Sequence, residues 1–400
     1  MHQNFKLIML QEAADYLQIS RSTINRWRRE KGFPTIKIAR DVYVDRERMF
    51  EWLRSHTEFA RGGQGAEGAK KEAVILGYQS RNAHLWGALI MKELGILEEE
   101  IRLGGWHKPP CPFRWVDLNG PRQLEELAAG RLHIASLGDL PIINAYRVSQ
   151  LFPSFKARLL AFGGKSRPGE GMSLAVPQSS LIRDIAGLSR RTVTALRHSS
   201  SWHRLSRALD KAGIGDARIV EQDAEQSLSR MRNAQIDAAA VCEPYATMIR
   251  TYGLGRTLSL DACGEDYLTG IVANEYWLQD KEDFVLAYLR AHVRAHRYLR
   301  DQPTGAAGVI AGHTGFPYEI VLRVITAIRW EAAVYGEELA SLYALGSDPN
   351  QASLTDTLIQ EGLRQLQREF SCDFYLRQAA AQLHLPVQSG ARSWSTAPVY

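Results

Sequence analysis

Three short turns and one basic stretch hold the groups in this chain that could do chemistry. The turns are Gly77-Tyr78-Gln79-Ser80, Gly138-Asp139 and Ser199-Ser200-Ser201. Each follows an apolar run, and the last two open a helical pattern. A helix start presents unpaired backbone N–H groups, and hydroxyls beside them add donors, so such turns favour an anion. The basic stretch is "ISRSTINRWRREKGFP", Ile19 to Pro34, with five Arg or Lys in sixteen residues. Arginines on one helix face suit phosphates and guanine edges, and an asparagine among them suits adenine. Bond-breaking chemistry has no comparable signal. Cys111, Cys242, Cys263 and Cys372 form no C-x-x-C pair, which argues against a zinc site or a disulfide framework. No carboxylate pair and no Ser/His/Asp spacing stands out, so no catalytic residue, metal or cofactor is expected.

These groups need elements to hold them. Four hundred residues, 45% hydrophobic and 23% charged, suit two or three folded units. The net charge of +5 is uneven. Residues 1–55 carry eleven Lys or Arg against seven Asp or Glu, while the remainder carries 38 against 37. Attraction to phosphate therefore belongs to the N-terminus. There, "MLQEAADYLQIS" reads as a short helix with Leu10, Ala13, Ala14 and Leu17 on one face. Ile19 packs in the turn, and Ser20 is placed to cap the next helix. That helix points Ile24 and Trp27 inward and leaves Arg21, Ser22, Asn25, Arg26, Arg28 and Arg29 outward, until Gly32 and Pro34 stop it. Ile36, Ile38, Val42 and Val44 alternate around Ala39-Arg40-Asp41 as a short hairpin. Asp45 can cap a last helix, with Met49, Trp52 and Leu53 facing inward.

Helix, turn, helix, hairpin and helix in this order resemble the excisionase-type, MerR-like winged helix-turn-helix. The resemblance covers about residues 7–55. It implies contacts to DNA bases or backbone from Arg21, Ser22, Thr23, Asn25 and Arg26, and phosphate contacts from Lys37 and Arg40 on the wing. One head this small makes few contacts, so paired half-sites and a homodimer are expected.

"RGGQGAEGAKKE", Arg61 to Glu72, has no apolar periodicity and reads as a flexible linker over 59–72. After it the pattern changes. "AVILGYQ" is a buried strand, and "AHLWGALIMKELGIL" a helix ending at Gly95. "RLHIASLGDLPIINAYRV", "TVTALRHSSSWHRLSRALDKAGI" and "IDAAAVCEPYATMIRTYG" each give strand, turn, helix. This rhythm predicts an α/β fold with parallel sheets and a ligand beyond the strand C-termini. "LGYQ", "GPRQLEELAAGRLHIASLGDLPIINA", "LAVPQSSLIRDIAGL", "RHSSSWHRLSRALDKAGI", "AQIDAAAVCEPYATMI" and "YLTGIVANEYW" keep their order and spacing. Together they resemble the substrate-binding proteins of ABC importers for aliphatic sulfonates, taurine and nitrate. Enzymes of thiamine-precursor synthesis and aryl-sulfinate desulfination share that fold. The resemblance implies a two-lobed, type II periplasmic-binding-protein-like domain over 73–400. Lobe one would be about 73–165 and 265–400, and lobe two about 170–262. It also implies a cleft lined by Gln79, Leu137, Gly138, Asp139, Ser199, Ser200, Ser201, His203, Glu243 and Tyr245. His84 and His203 read more readily as packed helix-face histidines than as ligand contacts. An insertion, "GGWHKPPCPFRW", places Trp106 and Trp115 either in the cleft or in packing. The amphipathic stretches "YEIVLRVITAIRWEAAVY" and "LTDTLIQEGLRQLQREFS" either finish lobe one or form a dimer face.

A desulfinase-like enzyme would want a Cys in the first loop, where this chain has Ser80-Arg81-Asn82. A transporter part would want an export signal; the start has a short apolar run, Leu7 to Leu10, without a signal-peptide pattern. No stretch approaches the ~20 apolar residues of a membrane span. The two halves together read as a cytoplasmic regulator, with double-stranded DNA on the head, a small organic anion in the cleft, and no membrane partner. A substrate-binding protein of an importer and a cytoplasmic enzyme of the same fold are the alternatives.

Overall fold

In the head, apolar spacing sets the core. The computed structural model describes residues 7–16, 21–30, 32–38, 41–45, 48, 49, 52, 73–104, 112–260, 266–346 and 356–385. Strand β1 (Leu7–Met9) runs into α1 (Leu10–Tyr16), and α2 (Arg21–Glu30) is followed by β2 (Ile36–Ile38) and β3 (Asp41–Asp45). Leu10, Ala13, Ala14, Ile24, Val44 and Met49 are buried together. Trp27 packs on Phe33 and Trp52, with ring centroids 6.0 and 5.6 Å apart. Gly32 takes φ +65, which lets the chain leave α2 and return the Phe33 N–H to the Trp27 carbonyl at 3.2 Å. The Asp45 carboxylate accepts the Arg48 N–H at 3.2 Å, the cap its position suggests.

Two details of the head differ from the sequence reading. Leu7–Met9 is a strand, paired antiparallel with β3, so the hairpin becomes a three-stranded sheet of order β1-β3-β2. Asp41 pairs with Ile38 inside the ladder rather than turning it. Leu17, Ile19, Ser20, Ala39, Arg40 and Leu53 lie outside the described residues, as does the stretch 59–72 that the sequence suggests is a linker.

The larger part begins with β4 (Val74–Tyr78), a 3-10 turn (Ala83–Leu85), α3 (Trp86–Glu93) and α4 (Ile96–Leu103). It continues with β5 (Phe113–Asp117), α5 (Gly120–Ala128), β6 (Ile134–Gly138), α6 (Asp139–Leu151) and β7 (Ala157–Ser166). Next come β8 (Met172–Pro177), β9 (Thr192–Ala195), α7 (Ser200–Lys211), β10 (Arg218–Glu221), α8 (Ala224–Arg232), β11 (Ala238–Cys242), α9 (Tyr245–Thr251) and β12 (Gly255–Ser259). The chain then returns through β13 (Tyr267–Asn274), α10 (Glu275–Leu278), α11 (Glu282–Asp301), α12 (Pro303–Thr314), α13 (Tyr318–Ala327) and β14 (Arg329–Trp330). It ends in α14 (Gly336–Gly346), α15 (Asp356–Glu369) and α16 (Phe374–Gln382).

One sheet has six strands, in the order β14-β7-β13-β6-β4-β5, and the other has five, in the order β10-β9-β11-β8-β12. The chain changes sheet twice, between β7 and β8 and between β12 and β13. Each sheet belongs to one lobe. The sheets are mixed rather than parallel. β4, β5 and β6 pair in parallel, as do β9, β10 and β11. β13 runs antiparallel between β6 and β7, and β8 antiparallel between β11 and β12. A parallel neighbour needs a helical crossover, whereas β8 and β13 enter directly from the other lobe and are free of that requirement.

The C-terminal helices complete the first lobe. Leu366 and Phe370 join its core with Leu339, Leu342 and Leu345. The helix expected from Tyr318 onward ends at Ala327, because Arg329 and Trp330 pair as an edge strand with Lys165 and Gly164. That register carries Glu331 to the fully buried Lys165, whose ammonium also donates to both Glu338 oxygens at 2.8 and 2.9 Å. No helix among the described residues is long and apolar enough to cross a membrane.

Candidate functional site

Between the two sheets lies a cleft of about 430 Å³. The chain reaches it at the C-terminal ends of β4, β5 and β6 on one side and β9, β10 and β11 on the other. Four helices, α5, α6, α7 and α8, begin at its walls. Their caps are local. Asn119 accepts the Arg122 N–H at 3.0 Å, Ser199 that of Trp202 at 3.3 Å, and Asp223 that of Gln226 at 2.8 Å. A helix start has more backbone donors than one cap can satisfy, and it carries the positive end of the helix dipole. Gly138, the last residue of β6, lies tight against the other lobe. A Cβ there would stand 2.9 Å from the Ser200 hydroxyl and 3.2 Å from that of Tyr267.

Of the residues singled out in the sequence, Gln79, Gly138, Ser199, Ser200, Ser201 and Tyr245 line the cleft together. Gln79 is fixed by donating to the Ser136 carbonyl at 2.7 Å. The Ser199 and Ser201 hydroxyls are 2.9 Å apart. Ser200 reaches across the lobes and accepts the Leu140 N–H at 3.4 Å. Tyr245 packs edge-on against Phe316, and burial raises its phenol above the usual range.

The structure does not bring Leu137, Asp139, His203 or Glu243 to the wall. Leu137 alternates inward with the pleat of β6 and is fully buried in the lobe-one core. Asp139 is buried behind the cleft in an ion pair with Arg204 at 2.6 Å. Glu243 turns away, accepting the Thr247 N–H and the Arg250 guanidinium, each at 3.0 Å. His203 falls on a half-buried face of α7. Trp115 sits on β5 against Tyr288 and Tyr78 and serves packing, while Trp106 lies outside the described residues.

Other lining residues escaped the sequence reading. Asn119-Gly120-Pro121 carries a readable signal, a capping Asn with Pro in the first helical turn. Tyr267 has none, because it arrives with β13 from the far end of the chain; its hydroxyl accepts from Asn82 at 2.9 Å. Cys242 also lines the space, with its thiol pushed up to about 12 by burial and then by Glu243, so it stays protonated near neutral pH. Among the described residues no cluster of three or more His, Cys, Asp or Glu is placed to hold a metal ion.

Four imidazoles lie wholly or partly buried within the two lobes. His84 bonds Ser166 at 2.7 Å near the end of β7 and packs edge-on against Tyr267, ring centroids 4.7 Å apart. Burial, then Arg204, lowers its pKa to about 3. Burial lowers His292 to about 4 and holds His296 well below its ordinary value. His203 is lowered to about 4, again chiefly by burial. Unfolding returns each to about 6.5 and lets it take up a proton. Their contribution is therefore complete above about pH 6.5 and is lost as pH falls toward 3–4. The melting temperature should drop between pH 6.5 and 5, before carboxylates titrate. A flat profile there, read by circular dichroism, would contradict these neutral buried states.

On the head, Arg21, Arg28, Arg29 and Lys37 are exposed. Asn25 is half-buried, and its carbonyl accepts from Arg29 at 3.4 Å. Arg26 is half-buried too, with its guanidinium 3.8 Å from Glu126 on α5. Ser22 and Thr23 fall within α2, but their side chains, like Arg40, lie outside the described residues.

Comparison with known proteins agrees with both halves. Residues 10–57 match the helix-turn-helix domain family. A curated Escherichia coli (strain K12) protein named for binding aliphatic sulfonates is 24% identical over 287 residues, 68% of this chain and 83% of its own length. The alkanesulfonate-binding protein of Xanthomonas axonopodis pv. citri, solved bound to MOPS, superposes with a TM-score of 0.56 at 20% identity, over 69% of this chain and 92% of that one. The periplasmic nitrate-binding protein of Synechocystis PCC 6803 gives 0.59 at 12% identity, over 80% and 91%. The fold is thus a helix-turn-helix head joined to a periplasmic-binding-protein fold.

Proposed function

We propose that this chain is a one-component transcriptional regulator, in which a small organic anion held between the lobes sets how the N-terminal head engages double-stranded DNA. One observation carries the reading: a helix-turn-helix head and an anion-suited cleft stand on a single chain. Four helix starts, four serines and an apolar part that includes Met172, Leu196 and Ala240 suit a compact organic anion with an alkyl or aryl body. The relatives named for sulfonate binding support a sulfonate. A DNA head has its use where DNA is, so the protein acts in the cytoplasm. It acts as a homodimer on paired half-sites, since one head neutralises few phosphates. Residues 1–58 form the head, 59–72 the linker and 73–400 the sensor. The protonated Cys242 thiol and the relatives named as binding proteins favour binding over turnover.

A ligand acts only through its different affinity for two states, so it must close the lobes, and closure must move the heads. The test has two parts. Thermal-shift screening should find a sulfonate that raises the melting temperature, by about 2.7 kcal/mol of added stability at a hundred times Kd. A gel-shift on the DNA upstream of the protein's own gene should then show binding whose midpoint moves with that sulfonate. Binding that ignores every stabilising sulfonate would sink the regulator reading.

A further inference from the structure

The cleft carries three carboxylates, Asp117, Asp223 and Glu225, and one cation, Arg81, among its described lining residues. Two of the carboxylates are committed to the backbone. Asp117 accepts the Ser80 N–H at 3.1 Å, and Asp223 caps α8. Glu225 differs, because its partner is Arg81, across the lobes at 3.5 Å. The two side chains are 64% and 51% exposed, so the pair faces the solvent-filled space rather than the core. Arg81 is held from its own lobe. It donates to the Thr314 carbonyl at 3.3 Å, and its guanidinium lies over the Phe316 ring at 5.3 Å. Glu225 has no such anchor, and it stands in the first turn of α8, where the helix dipole favours its charge with or without Arg81.

We infer that Arg81 is the specificity-determining cation for the ligand's anionic group, and that Glu225 is its resident counter-ion, displaced when the ligand enters. The inference rests on the anion-binding reading of the cleft. An exposed pair of this kind is weak, so giving it up costs a ligand little. A planar guanidinium presents paired donors, which suits a sulfonate or carboxylate oxygen pair better than a single point charge does. The carboxylate left behind also penalises a second negative charge at the cleft mouth. Monoanions are favoured over dianions for that reason.

The sign of one substitution tests this. Ethanesulfonate is titrated calorimetrically into the full chain, into Glu225→Gln, into Arg81→Gln and into the double variant. Glu225→Gln should tighten binding by about three- to fivefold, the resident competitor being gone. Arg81→Gln should weaken it by about tenfold or more, and the double variant should bind no tighter than Arg81→Gln. Unchanged or weaker binding by Glu225→Gln overturns the inference, since the pair would then be a clasp that closure needs. Wild-type affinity in Arg81→Gln overturns it as well. If neither the wild type nor any variant binds ethanesulfonate, the anion-binding reading fails and takes the inference with it. Binding by the wild type with the wrong sign in the variants leaves that reading intact.

Discussion

Asp139→Asn should lower the free energy of unfolding by about 3 kcal/mol or more, the largest effect expected of any single change near the cleft. Asp139 is 1% exposed and Arg204 5%. One Asp139 oxygen takes an Arg204 N–H at 2.6 Å and the other takes the Leu140 N–H at 2.7 Å. The same Arg204 nitrogen also donates to the Asp266 carbonyl at 3.2 Å, and the guanidinium lies 5.5 Å from the Tyr267 ring centre. The pair thus ties α6 of one lobe to α7 of the other and to the returning interlobe passage. Neutralising the aspartate takes away a charge partner that Arg204 holds at 2.6 Å, away from water. That loss exceeds what the intact pair contributes, since burying both ions costs nearly as much as their attraction returns. A double change, Asp139→Leu with Arg204→Met, should therefore recover much of the stability. Urea titration followed by circular dichroism measures both. An Asp139→Asn midpoint equal to the wild type would show that Arg204 finds water or another anion.

The same residue shows where the sequence stops being informative. A Gly-Asp pair ending a strand and starting a helix points toward the cleft, and the backbone there does reach it, through Gly138. The carboxylate does not, because its partner lies 65 residues away on the other lobe. Local spacing could not weigh a ligand against that partner. Glu243 is also drawn off, here by Arg250 within its own lobe. The serine turn was legible because its chemistry is local: a cap, a helix start and hydroxyls in consecutive positions. Strand-turn-helix units were legible for the same reason. β8 and β13 hid their direction, since antiparallel entry is decided by two passages between lobes rather than by their own residues. Arg81 stood in plain sight in the first loop. Only the fold puts Glu225 opposite it, from a helix 144 residues further on.

In the head, two arginines of α2 should carry most of the DNA binding. Changing Arg28 and Arg29 together to Ala should weaken binding at moderate salt by about a hundredfold, and reduce the slope of log K against log salt by about 2. Both side chains are exposed, on the helix that Ile24 and Trp27 fix to the core. Nothing in the fold needs them, so the variant should melt as the wild type does. Arg26→Ala should cost less. Its guanidinium stands by Glu126 on α5, a helix whose first turn lines the cleft. Binding DNA through Arg26 means leaving that carboxylate, so truncation removes a contact in the bound state and a tie in the free one. The two effects oppose each other. Fluorescence anisotropy on a labelled duplex, repeated at several salt concentrations, separates the cases. If Arg26→Ala matches the double variant while the slope stays unchanged in both, the arginines do not sit on phosphates. α2 would then have to read DNA through Asn25 and its neighbours, or not read it at all.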